Sequence, residues 1–149
     1  MEILIAAIGK MKAGPELELF NHYLKQSNFK ITLKEYEEKR PLSAEERKLK
    51  ESEMLLNAVP KGYVIVALDE RGKEISSLDF ADKVEGWYPK GIAFLIGGAG
   101  GHHDILRQKS DFMLAFGRMT WPHMLARVML AEQIYRARTI IDGHPYHKQ

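Results

Sequence analysis

Residues Gly91–Gly101 read G-I-A-F-L-I-G-G-A-G-G. An uninterrupted apolar run cannot alternate between core and solvent, so it predicts a strand covered on both faces. The glycines that follow stop the strand and let the backbone approach whatever lies beyond its carboxyl end. Working outward, the same kind of run recurs at Ile3–Ile8, ending on Gly9, and at Tyr63–Leu68 (Y-V-I-V-A-L). Lys30–Tyr36 alternates instead, as a half-exposed strand does, and the charged stretch Glu35–Arg40 reads as a solvent loop.

Helical spacing fills the gaps between these strands. Leu17, Phe20, Tyr23 and Leu24 follow Pro15. Ser43 and Glu46 form a capping box ahead of Leu49, Met54, Leu55 and Leu56, and that helix is predicted to end near Pro60–Gly62. Asp69–Lys73 reads as a turn, and Ser77 as the cap of a helix carrying Leu78, Ala81 and Val84 through to Trp87. After the glycines the pattern predicts a short helix over His103–Lys109, a strand over Phe112–Phe116 and a long helix over Trp121–Thr139. Strands alternating with helices make an open, mostly parallel α/β sheet. With no linker, repeat or low-complexity stretch, residues 1–149 form one domain.

Composition narrows the function classes. The chain has 149 residues, 45% hydrophobic and 28% charged, as in an ordinary globular domain. It contains no cysteine, which excludes disulfides, thiolate metal ligands and a cysteine nucleophile. No apolar run approaches the roughly 20 residues needed to cross a bilayer. The start, M-E-I-L-I, has an acid where a signal peptide wants basic residues, so a cytoplasmic protein is expected. Net charge is only +2. Yet residues 101–149 carry 7 Lys/Arg against 4 Asp/Glu, and five of the six histidines. Such clustering points weakly to an anionic partner.

In parallel α/β sheets, ligands sit beyond the carboxyl ends of the strands. Three ends suit that role: Leu68, Gly97–Gly101 and Phe116–Trp121. The spacing is not the dinucleotide-binding G-x-G-x-x-G, and no G-K-[ST] phosphate loop follows. His102, His103, His123, His144 and His147 lack the spacing of a helix-borne metal site, so no metal is expected. Arg118, Arg127 and Arg138 are candidates for phosphate contacts or interface salt bridges. Glu132 and Arg136 form an i,i+4 pair. The last helix is apolar almost all round, so a second copy of the chain is expected against it. On these grounds alone the chain is an α/β protein with a loop-built pocket. A non-enzymatic nucleotide- or metabolite-binding dimer and a metal-dependent hydrolase remain alternatives to a cofactor-using enzyme.

Four blocks narrow this further: L-I-G-G-A-G-G (95–101), F-G-R-M-T-W-P-H (116–123), R-V-M-L-A-E-Q-I-Y-R-A (127–137) and H-P-Y-H (144–147). With them the chain resembles the ribosomal large-subunit methyltransferase H family of the SPOUT superfamily, over nearly its whole length. The resemblance implies a single-domain α/β knot, with a C-terminal trefoil. It implies S-adenosyl-L-methionine-dependent methylation of N3 of a pseudouridine in 23S ribosomal RNA, performed by a homodimer on the assembled ribosome. By position, the methyl donor would contact Leu68, Gly97, Phe116, Gly117, Arg118, Met119, Thr120 and Trp121. His123, Tyr146 and His147 are the candidates for the catalytic end of the site. One departure is His102–His103, where related chains tend to carry a more apolar residue first after the last glycine.

Overall fold

A computed structural model of the chain describes residues 2–148, with side chains as far as Tyr146. Five parallel strands stand in the order β2-β1-β4-β3-β5. They are β1 (Ile3–Ile8), β2 (Ile31–Tyr36), β3 (Val64–Glu74), β4 (Ile92–Ile96) and β5 (Phe112–Ala115). The helices are α1 (Pro15–Gln26), α2 (Ala44–Ala58), α3 (Ser77–Trp87), α4 (Asp104–Lys109) and α5 (His123–Asp142).

The all-apolar strands take the central places, for the reason their letters suggest. Along β1, Ile3, Ile5 and Ala7 face one layer of the core while Leu4, Ala6 and Ile8 face the other. Along β4, Ile92, Phe94 and Ile96 oppose Ala93 and Leu95 in the same way. β2 alternates because it is an edge strand, with Thr32 and Lys34 exposed. No described helix is long and apolar enough to cross a membrane.

Several expected boundaries move. β3 does not stop at Leu68. Leu68 and Lys73 both pair with Leu114, so Asp69–Arg71 and Gly72 loop out as a bulge and the strand resumes to Glu74. Two residues facing one partner defines a bulge, not a chain reversal. The cap of α3 is Ser76, whose Oγ accepts from Asp79 N, while Ser77 Oγ donates to Gln133 Oε1 at 2.8 Å. β5 ends at Ala115, leaving Phe116 to the following loop. α5 starts at His123, after Pro122, and runs to Asp142. Glu35 and Tyr36 belong to β2, and not to a solvent loop.

The largest correction concerns Arg127. It is no surface cation for phosphate: its side chain is wholly buried. Nη1 pairs with Glu35 Oε2 at 2.6 Å, and Nη2 donates to Ile8 O at 2.9 Å and Gly9 O at 2.7 Å. One guanidinium thus ties α5 to the carboxyl ends of β1 and β2. Arg138 pairs with Asp142 and stacks over the Phe29 ring, so it too has structural partners. Only Arg118 of the three is exposed without an ion pair among the described residues.

Candidate active site

The three strand ends meet. Leu68 from β3, Gly97 from β4 and Phe116, Gly117, Met119, Thr120 and Trp121 after β5 line one cavity of about 360 Å³. Arg118 is exposed on the same loop and does not line the cavity. Trp121 Nε1 donates to Phe116 O at 3.1 Å, closing the loop into a ring. On the opposite wall, Arg107 of α4 pairs with Asp69 of the β3 bulge at 2.7 Å and with Asp104 at 2.7 Å. Burial around this pair, with Asp69 only 4% exposed, pins the bulge against α4.

Backbone rather than side chains forms much of this wall. A Cβ on Gly98 would stand 3.1 Å from Ile8 Cγ2 and 3.2 Å from Glu51 Oε1, closer than ordinary van der Waals contact. Glu51 is itself buried, and burial pushes its carboxyl above the usual carboxylate range, opposed by the charges of Arg47 and His123. Gly117 has φ +105°, where any residue with a Cβ is strained. Gly117→Ala should therefore cost about 1–2 kcal/mol. Thermal unfolding should show a midpoint lower by roughly 2–8 °C for a domain of this size. An unchanged midpoint would show that the loop relaxes freely.

The histidines scatter. His102 is buried beneath the glycine turn, and His103 caps α4, its Nδ1 accepting from Ile105 N at 3.1 Å. His123 opens α5 at the rim of the cavity. His144 Nδ1 accepts from Tyr146 N at 3.2 Å. Among the described residues no three His, Asp or Glu side chains are grouped to hold a metal.

Tyr146 lies elsewhere. Its ring rests on Tyr135, with centroids 4.5 Å apart, and under Arg136, whose guanidinium is 5.0 Å from the ring centre. Burial, with Glu132 and Tyr23 nearby, pushes its phenol up to about 12. Glu132 in turn pairs with Arg136 at 2.9 Å, as their spacing predicts. Tyr135 is twelve residues along α5 from His123, roughly 18 Å at the helical rise. One chain therefore does not bring His123 and Tyr146 together. His147 lies outside the residues whose side chains are described.

A second cavity of about 360 Å³ shares Leu114, Ala115, Phe116 and Gly117 with the first, and adds Glu74, Ser77, Glu132 and Gln133. Sequence reasoning missed its polar members, because nothing local to Glu74 or Ser77 shows that β5 and α5 will close over them.

Comparison with known proteins identifies the family. A family model described as "Predicted SPOUT methyltransferase" matches residues 1–147. The ribosomal RNA large subunit methyltransferase H of Paramagnetospirillum magneticum is 53% identical, with 99% of both chains covered. The protein of the same name from Rhodospirillum centenum is 48% identical, again over 99% of both. A probable methylase family protein from Haemophilus influenzae Rd KW20 superposes with a TM-score of 0.62 at 12% identity. That alignment covers 99% of this chain and 70% of the other, a likeness of fold alone.

Proposed function

The chain belongs to the SPOUT methyltransferase family, and on that premise we propose that it methylates N3 of a pseudouridine in 23S ribosomal RNA, using S-adenosyl-L-methionine. Membership of a methyltransferase family decides against the binding-only dimer and the metal-dependent hydrolase. The observation that carries the reading is the convergence of Leu68, Gly97 and Met119, from three strand ends, on one cavity.

The residues present fit the methyl donor. The cavity lies within the size range of small-ligand sites. Its glycine backbone leaves N–H and C=O groups accessible, and its apolar members Leu68, Phe116 and Trp121 suit an adenine ring. When bound, S-adenosylmethionine supplies an electrophilic methyl group on a sulfonium, so the protein's task is to bind, orient and exclude water. The three loops bind and orient, and Trp121 fixes the third by its hydrogen bond to Phe116 O.

An imide nitrogen is a poor nucleophile until its proton leaves. His123 Nδ1 or Nε2, at the rim, is the base this chain offers to the N3 proton. Tyr146 serves otherwise: a phenol pushed up to about 12 stays protonated near neutrality, so it donates a hydrogen bond to the uracil ring and takes no proton. His147 is assigned to the same end of the site by its place in the tail. Arg118, exposed on the third loop, is placed to meet RNA phosphate.

The enzyme acts as a homodimer through α5. Met119, Trp121 and Leu125 are large apolar side chains left 74%, 40% and 38% exposed around the start of that helix. A second copy covers them, and a two-fold axis across α5 would carry one chain's tail toward the other's His123. The family reading also carries the C-terminal trefoil knot, an exception to the avoidance of threaded chains. A ribosomal RNA target places the enzyme in the cytoplasm. The family reading further has it act on the assembled ribosome, which presents the base.

Calorimetry should show S-adenosylhomocysteine binding, and methyl transfer should be rapid on ribosomes and poor on the isolated RNA stem-loop. Mass spectrometry of ribosomal RNA from cells lacking the protein should show one methyl missing from a pseudouridine. An unaltered methylation pattern would refute the assignment.

A further inference from the structure

We propose that His102 is a positioning residue for the methyl donor: a buried, uncharged imidazole that holds the end of β4 and the glycine turn in the shape that binds it. The inference rests on the reading of the first cavity as the donor site. It goes beyond that reading by giving a task to a residue whose ring lies under the cavity's glycine wall.

His102 follows the last glycine directly and is 2% exposed. Its Nε2 lies 3.2 Å from Leu95 O, near the end of β4. The other edge of the ring, Nδ1 and Cε1, lies 3.2 Å from where a Cβ of Gly97 would stand. The ring thus packs against the underside of the turn that Gly101 N closes onto Gly98 O at 3.0 Å. A side chain at 97 and an imidazole at 102 compete for one space, which is why that corner takes glycine.

The hydrogen bond fixes the tautomer. Leu95 O only accepts, so Nε2 carries the proton and Nδ1 is a bare lone pair. Nδ1 is buried and has no partner. A second proton there would put a charge where there is no water; the Leu68 carbonyl beside the ring favours that proton, and burial opposes it more strongly. Two charged groups face the ring: Asp69 on β3, which favours the imidazolium, and Arg107 on α4, which opposes it. They are paired with each other at 2.7 Å, so Asp69 is already engaged. Burial prevails and holds the ring below the ordinary histidine value of 6.5.

Protonation then requires the ring to leave its slot. Departure would free Leu95 O and remove the floor of the turn at Gly97. His103 has its own anchors: its N donates to Ser52 Oγ at 2.9 Å, and its ring caps α4. The disturbance is accordingly confined to residues 97–102, the part of the loop that lines the donor cavity. Well above pH 6.5 the ring is uncharged in its slot or out of it, and binding is at full strength. Because the folded ring titrates below 6.5, the proton competes with the donor only as pH falls through the ring's own lowered value, and affinity then falls toward tenfold per unit.

The test is calorimetric titration of S-adenosylhomocysteine between pH 8 and pH 5 into the intact protein and two variants. His102→Gln keeps an N–H for Leu95 O but has no proton to gain. It should bind within threefold of wild type at pH 8 and lose the acid-side decline. His102→Leu fills the space without the donor and should bind about tenfold more weakly, the worth of roughly one hydrogen bond. NMR of the unliganded protein should show the ring that disappears in His102→Gln titrating below its neighbours, with the Gly97–Gly101 amides shifting in step. A wild-type acid decline that persists in His102→Gln, or full affinity in His102→Leu, overturns the role while leaving the donor site standing. No binding by wild type at pH 8 overturns the site and the role together.

Discussion

Arg127→Met should lower the free energy of unfolding by about 3–5 kcal/mol, the range for breaking a buried ion pair from one side. The guanidinium satisfies three acceptors at once: the Glu35 carboxylate and the carbonyls of Ile8 and Gly9. Methionine matches its apolar stem but leaves all three unanswered. Glu35 Oε2 still accepts from Met11 N at 2.8 Å, and Glu35 is partly open to water, which places the loss toward the lower end. Arg127 Nε already lacks a partner, so part of the cost of burial is present in wild type and sets no further penalty on replacement. Glu35→Gln combined with Arg127→Met should lose less than the sum of the two single changes, because the uncompensated charge is gone. Urea titration measures all three. Full additivity would mean that the pair contributes nothing as a pair. Donor affinity should fall as well, since Arg127 lies one turn after His123 and sets where α5 and the preceding loop sit.

That guanidinium also shows where a single sequence stops being informative. The strands β1 and β4 were legible because burial on both faces leaves only apolar residues, a pattern few other arrangements produce. The glycine turn is legible for the same local reason, and so the three strand ends of the site can be named from the sequence. Arg127 carries no such mark. It sits in an apolar helix as a surface cation might, and its acceptors lie about a hundred residues away in the chain. The bulge at Asp69–Gly72 is similar, since D-E-R-G-K has the composition of a turn and only pairing with β5 makes it part of a strand. Ser76 and Ser77 are adjacent and both suited to capping; what separates them is Gln133, reached by one and not the other. His102 is, in the sequence, only a departure from the family pattern after the last glycine, yet its ring is buried.

The greatest change in activity should come from chains that are each disabled in a different residue and then combined. His123→Ala and Tyr146→Ala should each reduce methylation of ribosomes by about a hundredfold, the scale of a lost proton acceptor or positioning contact. Co-expressed in equal amounts with different tags, the two chains should regain about a quarter of wild-type activity. The reason is geometric. Tyr146 is packed on Tyr135 and Arg136, roughly 18 Å along α5 from His123, and no side chain spans that distance. Only a two-fold partner can bring one chain's tail to the other's rim. About half the random dimers are mixed, and each mixed dimer then holds one site with both residues intact and one with neither. The converse mixture sharpens the test: wild type with a chain carrying both changes should keep about a quarter of full activity, because every mixed dimer has two half-sites. Were His123 and Tyr146 to work within one chain, the first mixture would stay inactive and the second would keep about half. Recovery in the first mixture with retention of half in the second would contradict both geometries.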